Sequence, residues 1–105
     1  MKRTKSMTYK PTTESRELFL YATNHGDLYR SMIAPQIASL RKKAIKGTYD
    51  PDKAADLYYF AATEASRLYH KDFGYSFSVQ DRFSCAVEME SFYREIVFFE
   101  LEVTP

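Results

Sequence analysis

Between Asp50-Pro51 and Gly74 lies the segment that most constrains what this chain can fold into. Ala54, Leu57, Tyr58, Ala61, Ala65, Leu68 and Tyr69 recur there at helical spacing, one apolar stripe about four turns long. Asp50 suits an N-cap. Pro51 suits the first helical position, where its missing amide hydrogen would have had no partner anyway. Gly74 suits the left-handed residue that ends a helix. The pattern predicts a helix over 51–73, and its small residues Ala54, Ala61, Ala62 and Ala65 let a neighbouring helix approach closely. One apolar face must be buried against something, and the rest of the chain offers more helices.

Ser78-Val79-Gln80-Asp81 reads as a capping-box variant opening a last helix over 79–99. That helix is apolar on two flanks, Phe83, Ala86, Val87, Tyr93 and Val97 on one and Cys85, Met89, Phe92, Ile96 and Phe99 on the other. A helix apolar over so much of its circumference is central or covered by a partner. Ile96-Val97-Phe98-Phe99 would also suit a strand, but a lone strand has nothing here to pair with. Upstream, Thr12-Thr13-Glu14-Ser15 supplies N-cap candidates for a helix over 14–23, with Leu18, Tyr21 and Ala22 on one face. Gly26 is expected as its left-handed stop and Asp27 as the cap of the next helix, 28–46, whose stripe is Tyr29, Ile33, Ile37, Leu40 and Ala44. Pro35 inside that stripe predicts a kink near Met32 to Pro35, or a new segment starting there. Gly47 ends the helix, and Tyr49 is placed to staple against Ala54. The expectation is an all-α fold, a compact bundle of about four helices over 13–105 as one domain, preceded by a flexible basic arm over 1–12.

With 105 residues there is room for one core, and seventeen of those residues are Tyr or Phe. Rings in such number supply a core, or a core plus an interface. The single cysteine, Cys85, has no intramolecular partner, which points away from an oxidising compartment. No apolar run follows the basic start and none approaches a membrane span, so a soluble cytosolic protein without a membrane partner is expected. The net charge of +1 hides a division. Residues 1–46 hold ten Lys or Arg against three acids, and the remainder five against eleven. Such a chain either neutralises itself on folding or shows partners one basic and one acidic face, and a net charge near zero favours association.

No catalytic, metal or nucleotide motif emerges, and no cofactor is expected. Asp50, Asp52 and Asp56 lack the alternating ligands and the glycine of a calcium loop and read as helix-capping acids. His25 and His70 have no second ligand at helical spacing and read as a loop residue and a solvated helix residue. Cys85 reads as a small buried hydrophobe. Arg41, Lys42, Lys43 and Lys46 close a helix where the macrodipole favours cations, and with the arm they could neutralise phosphates while Tyr9 or Tyr49 stacks on bases. An unrecognised enzyme site would first be sought among Asp27, Arg30, Tyr49 and Asp50.

Several segments carry a resemblance. Glu17-Leu18-Phe19-Leu20-Tyr21, the run Asn24 to Arg30 (NHGDLYR), Gly47-Thr48-Tyr49-Asp50, and the spaced Lys53-Ala54, Leu57, Ala65 and Tyr69 resemble a family of small proteins encoded by bacteriophages and bacterial mobile elements. Its members read as "LY…ND…LYR", then "GTYD", then a helix with "KA..L". The resemblance covers about residues 16–96. His25-Gly26 after Asn24, the basic arm and the Phe-rich tail depart from it. The family carries no established activity, so the resemblance implies provenance: a phage accessory protein acting in an infected bacterial cytosol. The leading expectation is a non-enzymatic interaction protein that binds and modulates a host protein, including a defence system. Phe92, Ile96, Phe98 and Phe99 are its contact residues, and the same last helix could join two copies of the chain. The alternative expectation is nucleic-acid binding through the arm and Arg41, Lys42, Lys43 and Lys46.

Overall fold

In a computed structural model, residues 11–103 are described along the backbone and 11–99 in their side chains. Four helices and no strand occur among them. Helix α1 is Thr13–Thr23, and α2 covers 26–45 in three consecutive pieces: a short α-helical start Gly26–Leu28, a π-helical turn Tyr29–Ile33 and an α-helical body Ala34–Ile45. Helix α3 is Pro51–Phe73 and α4 is Val79–Val103. The fold is the expected all-α bundle, and Ile96-Val97-Phe98-Phe99 is helical within it. Residues 1–10 of the expected arm lie outside the described residues. Thr12, expected in the arm, belongs to the helical body.

Local chemistry explains where each helix begins. At α1 the capping is reciprocal, with the Ser15 amide donating to the Thr12 hydroxyl at 3.0 Å and the Thr12 amide donating to the Ser15 hydroxyl at 2.8 Å. At α3 the Asp50 carboxylate accepts from the Asp52 amide at 3.0 Å, with Pro51 in the first turn. Before α4 the Ser78 hydroxyl accepts from the Asp81 amide at 3.0 Å and the Asp81 carboxylate from the Ser78 amide at 3.4 Å. Gly47 and Gly74 stop their helices at φ 76° and 74°, where a β-carbon would be strained.

The junction between α1 and α2 differs from expectation. Gly26 is not left-handed, and Asp27 does not cap. His25 is the N-cap instead, its Nδ1 accepting from the Leu28 amide at 3.2 Å, and the chain leaves α1 through Asn24. A neutral imidazole nitrogen does here what a hydroxyl usually does, and Asp27, freed from the cap, pairs with Arg30 on the surface.

Pro35 is accommodated by widening rather than by breaking the helix. It cannot donate to the carbonyl four residues back, and its ring would crowd that carbonyl. The chain inserts one residue, so that the Ala34 amide reaches the Tyr29 carbonyl across a π turn, and Pro35 falls in the first turn of the α-helical body. The wider turn also changes the stripe: Tyr29, expected on it, is 39% exposed, and Leu28 is buried in its place. Leu28 and Ile33, five residues apart, would sit about 140° from each other on an ideal α-helix. In the π turn both are buried, in line with Ile37 and Leu40.

Helix α4 packs against α3, α1 and α2, which makes it central, as its two apolar flanks require. Helices α1 and α4 run in the same direction: Thr12 meets Asp81, Arg16 meets Glu88 and the Phe19 ring meets Phe92. Ala54, Ala61, Ala62 and Ala65 are fully buried, so the small residues of α3 are indeed its packing face. Large rings fill what the alanines leave. Among the described residues only Phe19, Tyr58, Phe77 and Tyr93 are buried aromatics, while Phe60, Phe73, Phe92 and Phe99 are at least half exposed. The aromatic excess therefore divides between core and surface. No helix among the described residues is long and apolar enough to cross a membrane.

Candidate functional site: an apolar stripe on the last helix

The face of α4 turned to the bundle carries Cys85, Ala86, Met89, Tyr93 and Val97, all buried. Phe92, Ile96 and Phe99 follow one another at steps of four and three along an adjoining face, and they are 50%, 40% and 63% exposed. Helix length explains why the outer end of the stripe is left uncovered. At 1.5 Å per residue, α1 with its 11 residues spans about 16 Å and α4 with its 25 about 37 Å. Because α1 starts level with Asp81 and reaches Phe92 by Phe19, it ends before the last turns of α4. The Phe19 ring meets Phe92 edge-on at 5.6 Å, and the Phe92 ring in turn meets Tyr93 at 5.0 Å. The inner end of the stripe is thus held rigid by core rings, while its outer end projects.

Phe98 does not belong with the other three. Its ring turns the opposite way and packs edge-on against Tyr49 at 5.2 Å, half-buried on the core. Expecting Phe98 as a contact residue treated the Phe-rich tail as one surface, whereas a helix separates neighbours by about 100°. The surface consists of Phe92, Ile96 and Phe99.

On the Tyr49 side α4 carries a buried polar cluster that the sequence reading missed. Glu90, with 5% of its side chain exposed, accepts two hydrogen bonds from the Arg94 guanidinium at 2.7 and 2.8 Å and a third from the Tyr49 hydroxyl at 2.8 Å. Burial and the Glu90 carboxylate both hold the Tyr49 hydroxyl protonated, well above its ordinary range. A cleft of about 220 Å³ lies beside the cluster, bounded by Pro51, Asp52, Ala55, Val87 and Ser91. The signal available beforehand was the Glu-to-Arg spacing of four residues. Tyr49, expected to staple onto Ala54, turns its hydroxyl to Glu90 and its ring to Phe98.

Helix α4 also carries two groups whose ionisation is shifted by burial. Burial, with Glu88 adding to it, pushes the Cys85 thiol far above the thiolate range, as befits a buried hydrophobe. Burial likewise raises the Glu88 carboxyl, against the pull of Arg16 at 3.2 Å.

The other expected residues are spread over the surface. Lys42, Lys43 and Lys46 are exposed at the end of α2, while Arg41 is half-buried and offset from them around the helix. Asp27 and Arg30 pair with each other, whereas Tyr49 engages Glu90 and Asp50 caps α3. His70 is exposed, its Nδ1 at 3.1 Å from the Ser76 hydroxyl. Among the described residues no three His, Cys, Asp or Glu side chains converge as metal ligands would. Compared with known protein families, with curated proteins and with solved structures, the chain matches none of them.

Proposed function

We propose that the chain is a non-enzymatic protein-binding domain that seats an apolar segment of a partner protein on Phe92, Ile96 and Phe99. The observation that supports this reading is the stripe itself: three large apolar side chains exposed in line on the most central helix, with Phe92 anchored by Phe19 and Tyr93. Pre-ordered aromatics lose little entropy on binding and dominate binding hot spots. Following the resemblance to phage-encoded proteins, the partner is to be sought in a bacterial host cytosol, and modulation of a defence protein is one such role. The test compares the wild-type chain with Phe92→Glu/Ile96→Glu against the partner captured from host lysate. The double variant keeps its helical circular dichroism and weakens binding by about thirty-fold or more, as hot-spot losses of about 2 kcal/mol imply. Lys42→Glu/Lys43→Glu binds as the wild type does. Equal binding by the stripe variant overturns the reading. So does light scattering that shows a dimer of the chain which Phe92→Glu/Ile96→Glu dissociates, because the stripe would then be occupied by a second copy.

The second reading, nucleic-acid binding, is favoured by Lys42, Lys43 and Lys46 standing exposed together at the cationic end of α2. Three phosphate contacts give a slope of log affinity against log salt of about −3 on duplex DNA. Lys42→Glu/Lys43→Glu then lowers affinity about ten-fold or more at low salt and flattens that slope. A fluorescence-anisotropy titration showing no binding at low salt removes this reading.

A further inference from the structure

On the side of the bundle where α1 faces the end of α3 and the loop 74–78, three rings stand as the walls of a box corner. Tyr69 and Phe77 meet at 69°, Tyr69 and Tyr75 at 79°, and Tyr75 and Phe77 at 75°, with centroids 4.9, 6.4 and 4.8 Å apart. An open depression of about 200 Å³ lies against them, with Thr13, Glu14 and Glu17 of α1 along its other side. We infer that Tyr69, Tyr75, Phe77, Glu14 and Glu17 form a cage for an alkylammonium cation, supplied either by a lysine side chain of another protein or by a small quaternary ammonium compound.

Each feature of the depression selects for that chemistry. The faces of aromatic rings carry negative potential and attract a cation within about 6 Å of the centroid. The two acidic side chains on the lining, Glu14 and Glu17, are carboxylates and no basic one lines it, so the electrostatics of rings and rim have the same sign. Glu17 accepts the Tyr69 hydroxyl at 3.2 Å, which fixes the central wall relative to α1. Tyr21 and Phe73 pack on Tyr69 at 5.1 and 4.7 Å and buttress it. At about 30 Å³ for each water in the liquid, the depression holds the equivalent of about six or seven waters, room for a trimethylammonium group and the carbon that bears it. Tyr75 is the informative wall. It is 45% exposed on a loop whose turn needs no ring at that place, yet it stands square to both of its neighbours. This site lies on other elements than the end of α4 and stands whether or not the stripe binds a partner.

The experiment titrates the full chain with tetramethylammonium chloride, with a short trimethyllysine peptide and with the neutral isostere 3,3-dimethylbutanol, following aromatic resonances by NMR. Shifts confined to Tyr69, Tyr75 and Phe77, with the neutral isostere at least about ten-fold weaker, are expected from a cation–π contribution of the usual size. Tyr75→Ala, on an exposed loop position, leaves the remaining spectrum in place and lowers affinity by a similar factor, and Glu17→Gln lowers it less and weakens its salt dependence. A peptide that binds about ten-fold more tightly than tetramethylammonium assigns the cation to a protein side chain, and equal binding assigns it to a small molecule. Both outcomes support the cage. Equal binding of the neutral isostere, or an affinity unchanged in Tyr75→Ala, overturns it.

Discussion

Arg94→Met lowers the stability of the bundle by about 3 kcal/mol at neutral pH in urea unfolding, while Glu90→Leu/Arg94→Met falls short of the wild type by about 1 kcal/mol or less. The asymmetry arises from burial. Glu90 is almost fully enclosed, and of its three hydrogen bonds Arg94 donates two and Tyr49 one. Removing Arg94 leaves a carboxylate out of water with Tyr49 as its one donor among the described residues, and the loss of solvation is not made good. Arg94 itself is 45% exposed, so solvent screens its share, which sets the expected loss at the lower end of the range for broken buried pairs. Replacing both residues removes the charge together with the reason for pairing it. Tyr49 then keeps its ring contact with Phe98 and loses only the acceptor for its hydroxyl. If Arg94→Met cost less than about 1 kcal/mol, Glu90 would have to be reached by water, and its enclosure would carry no energetic weight.

The cluster also explains why helix boundaries were easier to read than helix surroundings. Asp50-Pro51, Gly74 and the Ser78–Asp81 box act through bonds to backbone groups within a few residues, so their consequence is written locally and the structure follows it. His25 shows where that legibility ends. Gly26 beside Asp27 looked like a stop and a cap, but imidazole can accept the same amide bond, and one residue of difference reassigns the junction. Phe98 shows the next level. Its position in the helix was plain, but which side of α4 is covered depends on how far α1 reaches and on where Tyr49 turns. The cage is more distant still. Glu14 and Glu17 lie more than fifty residues from Tyr69, Tyr75 and Phe77, and only the packing of α1 across the end of α3 joins them. The stripe of Phe92, Ile96 and Phe99 was legible as an excess of apolar surface, because that excess is a property of one helix.

Tyr58 is the position where the largest single loss is expected. Its side chain is fully buried on α3, its ring tilted against Tyr93 at 5.6 Å, and it is the bulkiest of the completely enclosed residues. The neighbouring positions on that face are alanines at 54, 61, 62 and 65, which have no longer rotamer with which to fill a void. Tyr58→Ala should therefore leave a cavity close to the full volume of the ring and cost about 4–5 kcal/mol, enough to abolish the cooperative unfolding transition of a marginally stable domain. Tyr58→Phe should act in the opposite direction. Among the described residues the Tyr58 hydroxyl is buried without a hydrogen-bond partner, and burial pushes its ionisation far above the ordinary range. Removing that one oxygen keeps the ring and its contacts while relieving an unsatisfied polar group, a gain of about 1 kcal/mol in urea unfolding. The pair of variants separates two contributions at one site. A loss in Tyr58→Phe comparable to ordinary hydrogen-bond deletion would mean that the hydroxyl has a partner after all, and the stabilisation credited to the ring through Tyr58→Ala would have to be reduced by that amount.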